Sequence, residues 1–371
     1  MSDTKETIRF GVVGLGHFAQ VAVLPALHQL QDVKIAALVS GSAEKLATLG
    51  DRYDVPHRSG YEDLEALLAS GELDAVYVAT PNDRHAEHTI MTAQHGVHVL
   101  CEKPMAPSAR ECERMIEAAE ENDIRLMIAY RLHFESGNLS SIDAIEQGRI
   151  GSPRLFNSVF TLQVRPENTR IQARAGAGPL YDIGTYCINA ARYLFRGEPT
   201  EVIAQMASKG DDERFRFAEE TVAATLRFSD ERLANFVVSF GAYGTAEYKV
   251  VGTEGSLSLD CAYEYVDDIH LTVKTRDGAT RRKFPQRDQI AAEVSYFADC
   301  VRSGADPEPS GYEGLADVRV IEAIRASAER GERVAIEPVS QSARPTLGQA
   351  RRFPAHDKPD TVGVESGSLP G

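Results

Sequence analysis

The chain opens with short, almost wholly apolar runs separated by stretches of helical spacing. Ile8-Arg9-Phe10-Gly11-Val12-Val13-Gly14, Val33 to Val39, Leu73 to Ala79, His98-Val99-Leu100 and Arg125 to Arg131 carry apolar residues at successive positions, the signature of strands covered on both faces. Between them Val21, Leu24, Leu27 and Leu30 recur at helical spacing, and residues 85–94 and 107–122 repeat that pattern. Strand alternating with helix predicts a parallel, doubly wound α/β sheet whose ligands sit at the carboxyl edge of the strands.

From about Phe134 the texture changes. Leu139 to Gln147 is helical, and then Arg154 to Leu162, Thr221 to Phe228, Leu233 to Phe240, Glu247 to Val251, Ser256 to Leu259 and Ile269 to Lys274 are period-two runs without long helices between them. They predict a mainly antiparallel open sheet in an α+β domain. Leu180 to Phe195, Gln289 to Ser303 and Tyr312 to Gly331 read as helices bracing that sheet. Such a sheet has one face free of helices, so a homo-oligomer, dimer or tetramer, is expected. The expected division is 1–131 as a dinucleotide-binding domain, 132–339 as a substrate-binding and oligomerisation domain, and 340–371 as a flexible tail or an arm on a neighbouring subunit.

Composition narrows the partners. A formal charge of −15 argues against nucleic acid or an anionic membrane, and no apolar run reaches the roughly 20 residues that span a bilayer. The polar N-terminus lacks a secretory signal, and the five cysteines, Cys101, Cys112, Cys187, Cys261 and Cys300, are far apart. A cytoplasmic protein without a metal site is expected.

Gly14-Leu15-Gly16-His17-Phe18-Ala19 follows the first strand and precedes a helix, which is the context the G-x-G-x-x-A dinucleotide fingerprint requires. The second strand ends in Ser40-Gly41-Ser42-Ala43-Glu44-Lys45, with no carboxylate where an NAD ribose would be bound. Two hydroxyls, free helix N–H groups and Lys45 favour a 2′-phosphate, hence NADP; the competing reading is an ordinary helix N-cap and a solvated lysine. The cofactor-binding set drawn from the carboxyl-edge loops is Gly14, Gly16, His17, Phe18, Ser40, Gly41, Ser42, Lys45, Thr80, Pro81, Asn82, His85, Glu102, Lys103 and Arg131.

Lys103 follows the strand His98-Val99-Leu100, and Pro104 stops that strand. Alone it would read as a solvated loop residue. Later, Gly176-Ala177-Gly178-Pro179 leads into a helix on which Asp182 and Tyr186, four apart, share a face.

Together, Gly14-Leu15-Gly16, Thr80-Pro81-Asn82 with His85, Glu102-Lys103-Pro104 and Asp182-Ile183-Gly184-Thr185-Tyr186 resemble the Gfo/Idh/MocA oxidoreductases, within them the glucose-fructose oxidoreductase branch, from about Ile8 to about Val339. Many relatives carry a Trp-Arg pair where this chain reads Asn168-Thr169-Arg170, and the N-terminal arm of periplasmic members is missing. The resemblance implies hydride transfer between NADP and a sugar, C1 of an aldose above all, alone or coupled to reduction of a second sugar on retained cofactor. It implies catalytic roles for Lys103, Asp182 and Tyr186. An unperturbed phenol titrates at about pH 10, so Tyr186 needs a neighbouring cation to act as acid and base, and Lys103 supplies it. Asp182 would hold Lys103 and a second sugar hydroxyl. Two further readings stay open: a dihydrodiol or cyclitol dehydrogenase, and an NADP-binding regulator without catalysis.

Overall fold

The computed structural model of the protein describes residues 6–340 and 343–367. Six parallel strands, β1 (Ile8–Val13), β2 (Val33–Val39), β3 (His57–Ser59), β4 (Ala75–Val78), β5 (His98–Glu102) and β6 (Leu126–Ala129), are ordered 3-2-1-4-5-6. This is the doubly wound dinucleotide order, and its crevice opens where the order reverses, between β1 and β4. Helices α1 (Leu24–Gln29), α2 (Ala43–Arg52), α3 (Leu64–Ala69), α4 (His85–Gln94) and α5 (Ala109–Glu121) make the crossovers. The short β3 carries no continuous apolar run, so the strand pattern does not reveal it.

The helix after the fingerprint does not start as an α-helix. Ala19–Val23 is a π turn, fully buried, that runs on into α1. Leu180–Gly184 forms a second π turn ahead of α7 (Thr185–Phe195), which follows α6 (Ser136–Glu146) in the second domain. π turns concentrate at functional sites; the first directly follows the glycine fingerprint, and the second carries Asp182.

The second sheet has nine strands: β7 (Pro153–Gln163), β8 (Pro199–Ala207), β9 (Thr221–Phe228), β10 (Leu233–Ser239), β11 (Gly241–Gly252), β12 (Gly255–Asp260), β13 (Ile269–Thr275), β14 (Gly278–Phe284) and β15 (Val334–Ala335). Their order is 14-13-12-11-7-10-9-8-15, antiparallel except for the β7–β10 pair. Phe156, Phe160, Phe236, Val238, Tyr248 and Val250 project from one face onto α7 and are buried; Leu155, Leu233, Val237 and Ile203 on the other face are exposed.

The last two long helices join the halves. α8 (Gln289–Ser303) was expected to brace the second sheet; instead Ile290, Val294 and Phe297 pack with Phe10 and Leu24 on the first. α9 (Gly311–Arg330) is shared, with Leu315 and Val318 in the core of the first domain and Val320, Ile321 and Ile324 in that of the second. Periodicity shows that a helix has an apolar face but not which sheet that face meets. Of the segment expected as a flexible tail or an arm on a neighbour, described residues touch their own chain: Gln20 and Val362 exchange hydrogen bonds, and Asn168 donates to Gly367.

Beneath α7 lies a buried charge cluster. Arg192 donates to Asp317 at 2.6 Å, to Glu313 at 2.8 Å and to Glu198 at 2.6 Å, with no exposed surface of its own. Asn189 Nδ2 donates to Glu313 and Asp317, and its Oδ1 accepts from His133 Nε2, whose other ring nitrogen meets Glu308. The cluster fixes α7 against α9 and the turn after β6. Arg192→Met leaves three carboxylates without their common partner, so chemical denaturation is expected to show a loss of about 3–5 kcal/mol.

Candidate active site

β5 delivers Lys103 to the carboxyl edge of the first sheet, and the π turn before α7 delivers Asp182 from the second domain. Lys103 Nζ donates to the Asp182 carbonyl at 2.8 Å and to its Oδ1 at 3.0 Å, with the lysine side chain only 10% exposed. Arg170 Nε pairs with the other carboxylate oxygen at 3.1 Å. Burial disfavours both charges, but each partner outweighs it: the Asp182 carboxylate, with Tyr186 and Glu102, raises the lysine above its ordinary value, and Arg170 then Lys103 hold Asp182 below the usual carboxylate range. Lys103 is therefore an ammonium at neutral pH, a donor and not a base.

Tyr186 lies between two cations. Lys103 Nζ is 4.5 Å and the Arg131 guanidinium 5.0 Å from its ring centroid, distances typical of cation–π contact. Phe160 and Tyr263 pack against the same ring at 5.7 Å and 6.0 Å. Arg131 is buried; it donates to the Tyr263 carbonyl and to Gln289 and also lies 5.4 Å from the Tyr265 ring. Tyr265 in turn meets Phe18 edge to face at 6.2 Å.

Several residues of the expected cofactor set also hold the loops in place. Both ring nitrogens of buried His85 lie within hydrogen-bond distance of carbonyls, those of Pro104 and Thr80; the neutral ring donates to one of them and sits wedged between the β4 and β5 loops. Burial keeps that imidazole below its ordinary pKa. Asn82 Nδ2 donates to Gly176 O at 2.8 Å, fastening the glycine loop ahead of Asp182. Glu102 accepts from Tyr77 OH at 2.6 Å and from the Lys103 N–H at 3.2 Å. Behind it, Glu293 is wholly buried, and burial together with Glu102 pushes its carboxyl well above the usual range. Thr80 is buried with its hydroxyl on His88, and Pro81 is exposed beside it.

The nucleotide end of the crevice fits a dinucleotide. Gly14 has φ +98°, and an added Cβ would lie 2.6 Å from the Ala79 carbonyl oxygen. Gly16 is exposed, with nothing within 4 Å of where its Cβ would be, which leaves the room a pyrophosphate needs. His17 and Phe18 follow it, half-buried. At the end of β2, Ser40 Oγ accepts from Ser42 N, and Ser42 caps α2 by accepting from the Lys45 N–H at 3.3 Å. The hydroxyls thus have local partners, while Gly41 is exposed and Lys45 lies at the mouth, partly covered. Arg170, Tyr265 and Gln20 were not in the expected set. Arg170 stands where relatives place a Trp-Arg pair, which was the available signal; Tyr265 sits in an aperiodic loop that gives none.

A crevice that fits a dinucleotide, with a buried ammonium beside a phenol, is the arrangement of a two-domain, dinucleotide-dependent oxidoreductase. Residues 8–130 match the oxidoreductase family with an NAD-binding Rossmann fold, and residues 141–258 match the GFO/IDH/MocA C-terminal domain. The chain belongs to the Gfo/Idh/MocA oxidoreductase family. It is 30% identical over 341 residues to D-xylose 1-dehydrogenase [NADP(+)] of Haloarcula marismortui, covering 90% of this chain and 94% of that enzyme. Aldose-aldose oxidoreductase from Caulobacter crescentus, solved with glycerol, superposes with a TM-score of 0.85 at 33% identity, covering 89% of this chain and all of that one. A 3-ketoreductase from Actinomadura kijaniata, solved with NADP and TDP-benzene, superposes with a TM-score of 0.79 at 28% identity over 87% of this chain and 98% of its own.

The two glycines predict different failures. Gly14→Ala meets backbone and an unfavourable φ, so thermal unfolding should show a loss of about 1–2 kcal/mol or more. Gly16→Ala should leave stability within about 0.5 kcal/mol yet weaken NADP in a fluorescence titration, because only a bound pyrophosphate needs that space.

Proposed function

We propose that the chain is an NADP-dependent sugar oxidoreductase that oxidises the C1 hydroxyl of an aldose to the lactone. The observation that carries this reading is the contact between Lys103, Asp182 and Tyr186 at the domain crevice. The relatives' NADP and sugar specificities support it. The bound nicotinamide supplies the acceptor for hydride from C1.

The chain's own groups handle the proton and the geometry. Lys103 keeps one N–H beyond its two bonds to Asp182 and donates it to the substrate oxygen, stabilising charge that develops there. Tyr186, flanked by Lys103 and Arg131, takes the hydroxyl proton as the C1–H bond breaks and returns it in the reverse direction. Asp182 fixes Lys103 and presents its carboxylate, balanced by Arg170, to a second sugar hydroxyl. Buried His85 and Asn82 hold the loops on either side. Ser42, Lys45 and the N-terminus of α2 receive the 2′-phosphate, and Gly14, Gly16, His17 and Phe18 the pyrophosphate.

Purified protein with NADP and a panel of aldoses should gain absorbance in the reduced-nicotinamide band. Lys103→Met should lower kcat/KM by about two to three orders of magnitude, and Tyr186→Phe by about two to four, with NADP affinity nearly unchanged. Wild-type turnover in the lysine variant would remove it from the chemistry. Turnover of a trans-dihydrodiol but not of any aldose would move the substrate to the dihydrodiol class.

The exposed apolar residues Leu155, Leu233, Val237 and Ile203 on the helix-free face of the nine-stranded sheet support a homo-oligomer. Val237→Glu should shift the mass seen by light scattering to that of one chain; an unchanged mass places the interface elsewhere.

A further inference from the structure

Residues 356–367 lie against the nucleotide crevice. On the first domain, buried Gln20 donates to Val362 O at 3.0 Å and accepts from Val362 N at 2.7 Å, while the same amide donates to Leu15 O at 3.1 Å in the fingerprint. The glutamine therefore binds the segment as a neighbouring strand would. His356 meets the carbonyl of Val21 at 3.0 Å and Asp288 at 2.9 Å, and Arg52 donates to Asp360 O at 2.6 Å. Gly363 lies against Lys45: an added Cβ would be 3.4 Å from its Cε.

Four residues later the segment is fastened to the other domain. The Gly367 carbonyl accepts from the Arg165 N–H at 3.0 Å and from Asn168 Nδ2 at 2.6 Å. Asn168 Oδ1 accepts from the N–H of Arg170, the partner of Asp182. The segment thus bridges the two walls of the crevice, from the residues beside Gly16 and Lys45 to the loop beside the substrate site. Gly16 stays exposed, so the segment spans the crevice without filling it.

We propose that residues 356–367 are part of the dinucleotide site, a strap that closes over the bound dinucleotide and slows its release. The strap also adds charge. His17, next to Gly16, is held below its ordinary pKa by burial and then by Lys358 and Arg170, which places a strap cation within electrostatic range of the pyrophosphate position. A dinucleotide entering or leaving has to part the Gln20–Val362 and Asn168–Gly367 bonds. This rests on the function proposed above only for the identity of the nucleotide; the sugar does not enter it.

The test reads release directly. The full chain loaded with NADPH is mixed with excess NADP, and loss of bound NADPH fluorescence is followed, beside Val362→Pro, Lys358→Gln and a chain ending at Ala355. Proline removes the N–H that Gln20 accepts, so release should quicken roughly tenfold, and more in the shortened chain. Equal release rates in the full chain and in the variants, with thermal unfolding showing them folded, would overturn the strap. So would tighter NADPH binding by the shortened chain, which would make the segment a competitor. A full chain that binds no dinucleotide would sink both this proposal and the function on which it rests, whereas unchanged release with normal aldose turnover sinks the strap alone.

Discussion

The ion pair between Lys103 and Asp182 is the contact on which the site depends, because its halves come from different domains. Withdrawing an ammonium and a carboxylate from water costs several kcal/mol per ion, and attraction offsets this only when geometry is good and remaining lone pairs are bonded. Here the lysine reaches both the carbonyl and the carboxylate of Asp182, and Arg170 satisfies the second oxygen. The pair needs α7 in one place. Arg192 and Asn189, further along the same helix, secure that place against α9, which is shared between the two hydrophobic cores.

The parallel strands were legible because burial on both faces leaves little choice but apolar residues. The fingerprint was legible because its glycines answer to sterics, as the close approach of Gly14 to Ala79 shows. Other elements left no such mark. β3 is three residues long, β8 mixes polar and apolar positions, and β14 is Gly-Ala-Thr-Arg-Arg-Lys-Phe, exposed over all but its last residue. These strands exist because a neighbouring edge offers hydrogen bonds, a property of the partner rather than of their own composition. The tail is the extreme case: it forms hardly any regular structure, and its holds are backbone groups meeting side chains such as Gln20 and Asn168 from distant parts of the chain.

Within the candidate site, sequence located the loops better than it assigned their side chains. The stretch from Thr80 to His85 does lie at the carboxyl edge, yet His85 and Asn82 turn inward and brace it. Glu102 likewise faces Tyr77, with Glu293 behind it held toward its neutral form, so the floor under Lys103 carries less negative charge than its composition suggests. A motif of this kind mixes groups that face a ligand with groups that keep the loop in shape, and one-dimensional spacing does not separate them. Both π turns add to the difficulty, since Asp182 and Gln20 sit where helical periodicity is locally wider than 3.6 residues.

The margins of the large sheet carry a consequence for how copies of the chain can associate. One border strand displays Arg281, Arg282 and Lys283 to solvent, and the opposite border, β15, is two residues long. Unpaired backbone at a border invites strand addition, which like-charged cations and a truncated ladder discourage. Any association between copies is thereby steered away from the borders. A surface that meets its own copy about a twofold axis closes on itself, so assembly stops at a finite size instead of growing into a fibre.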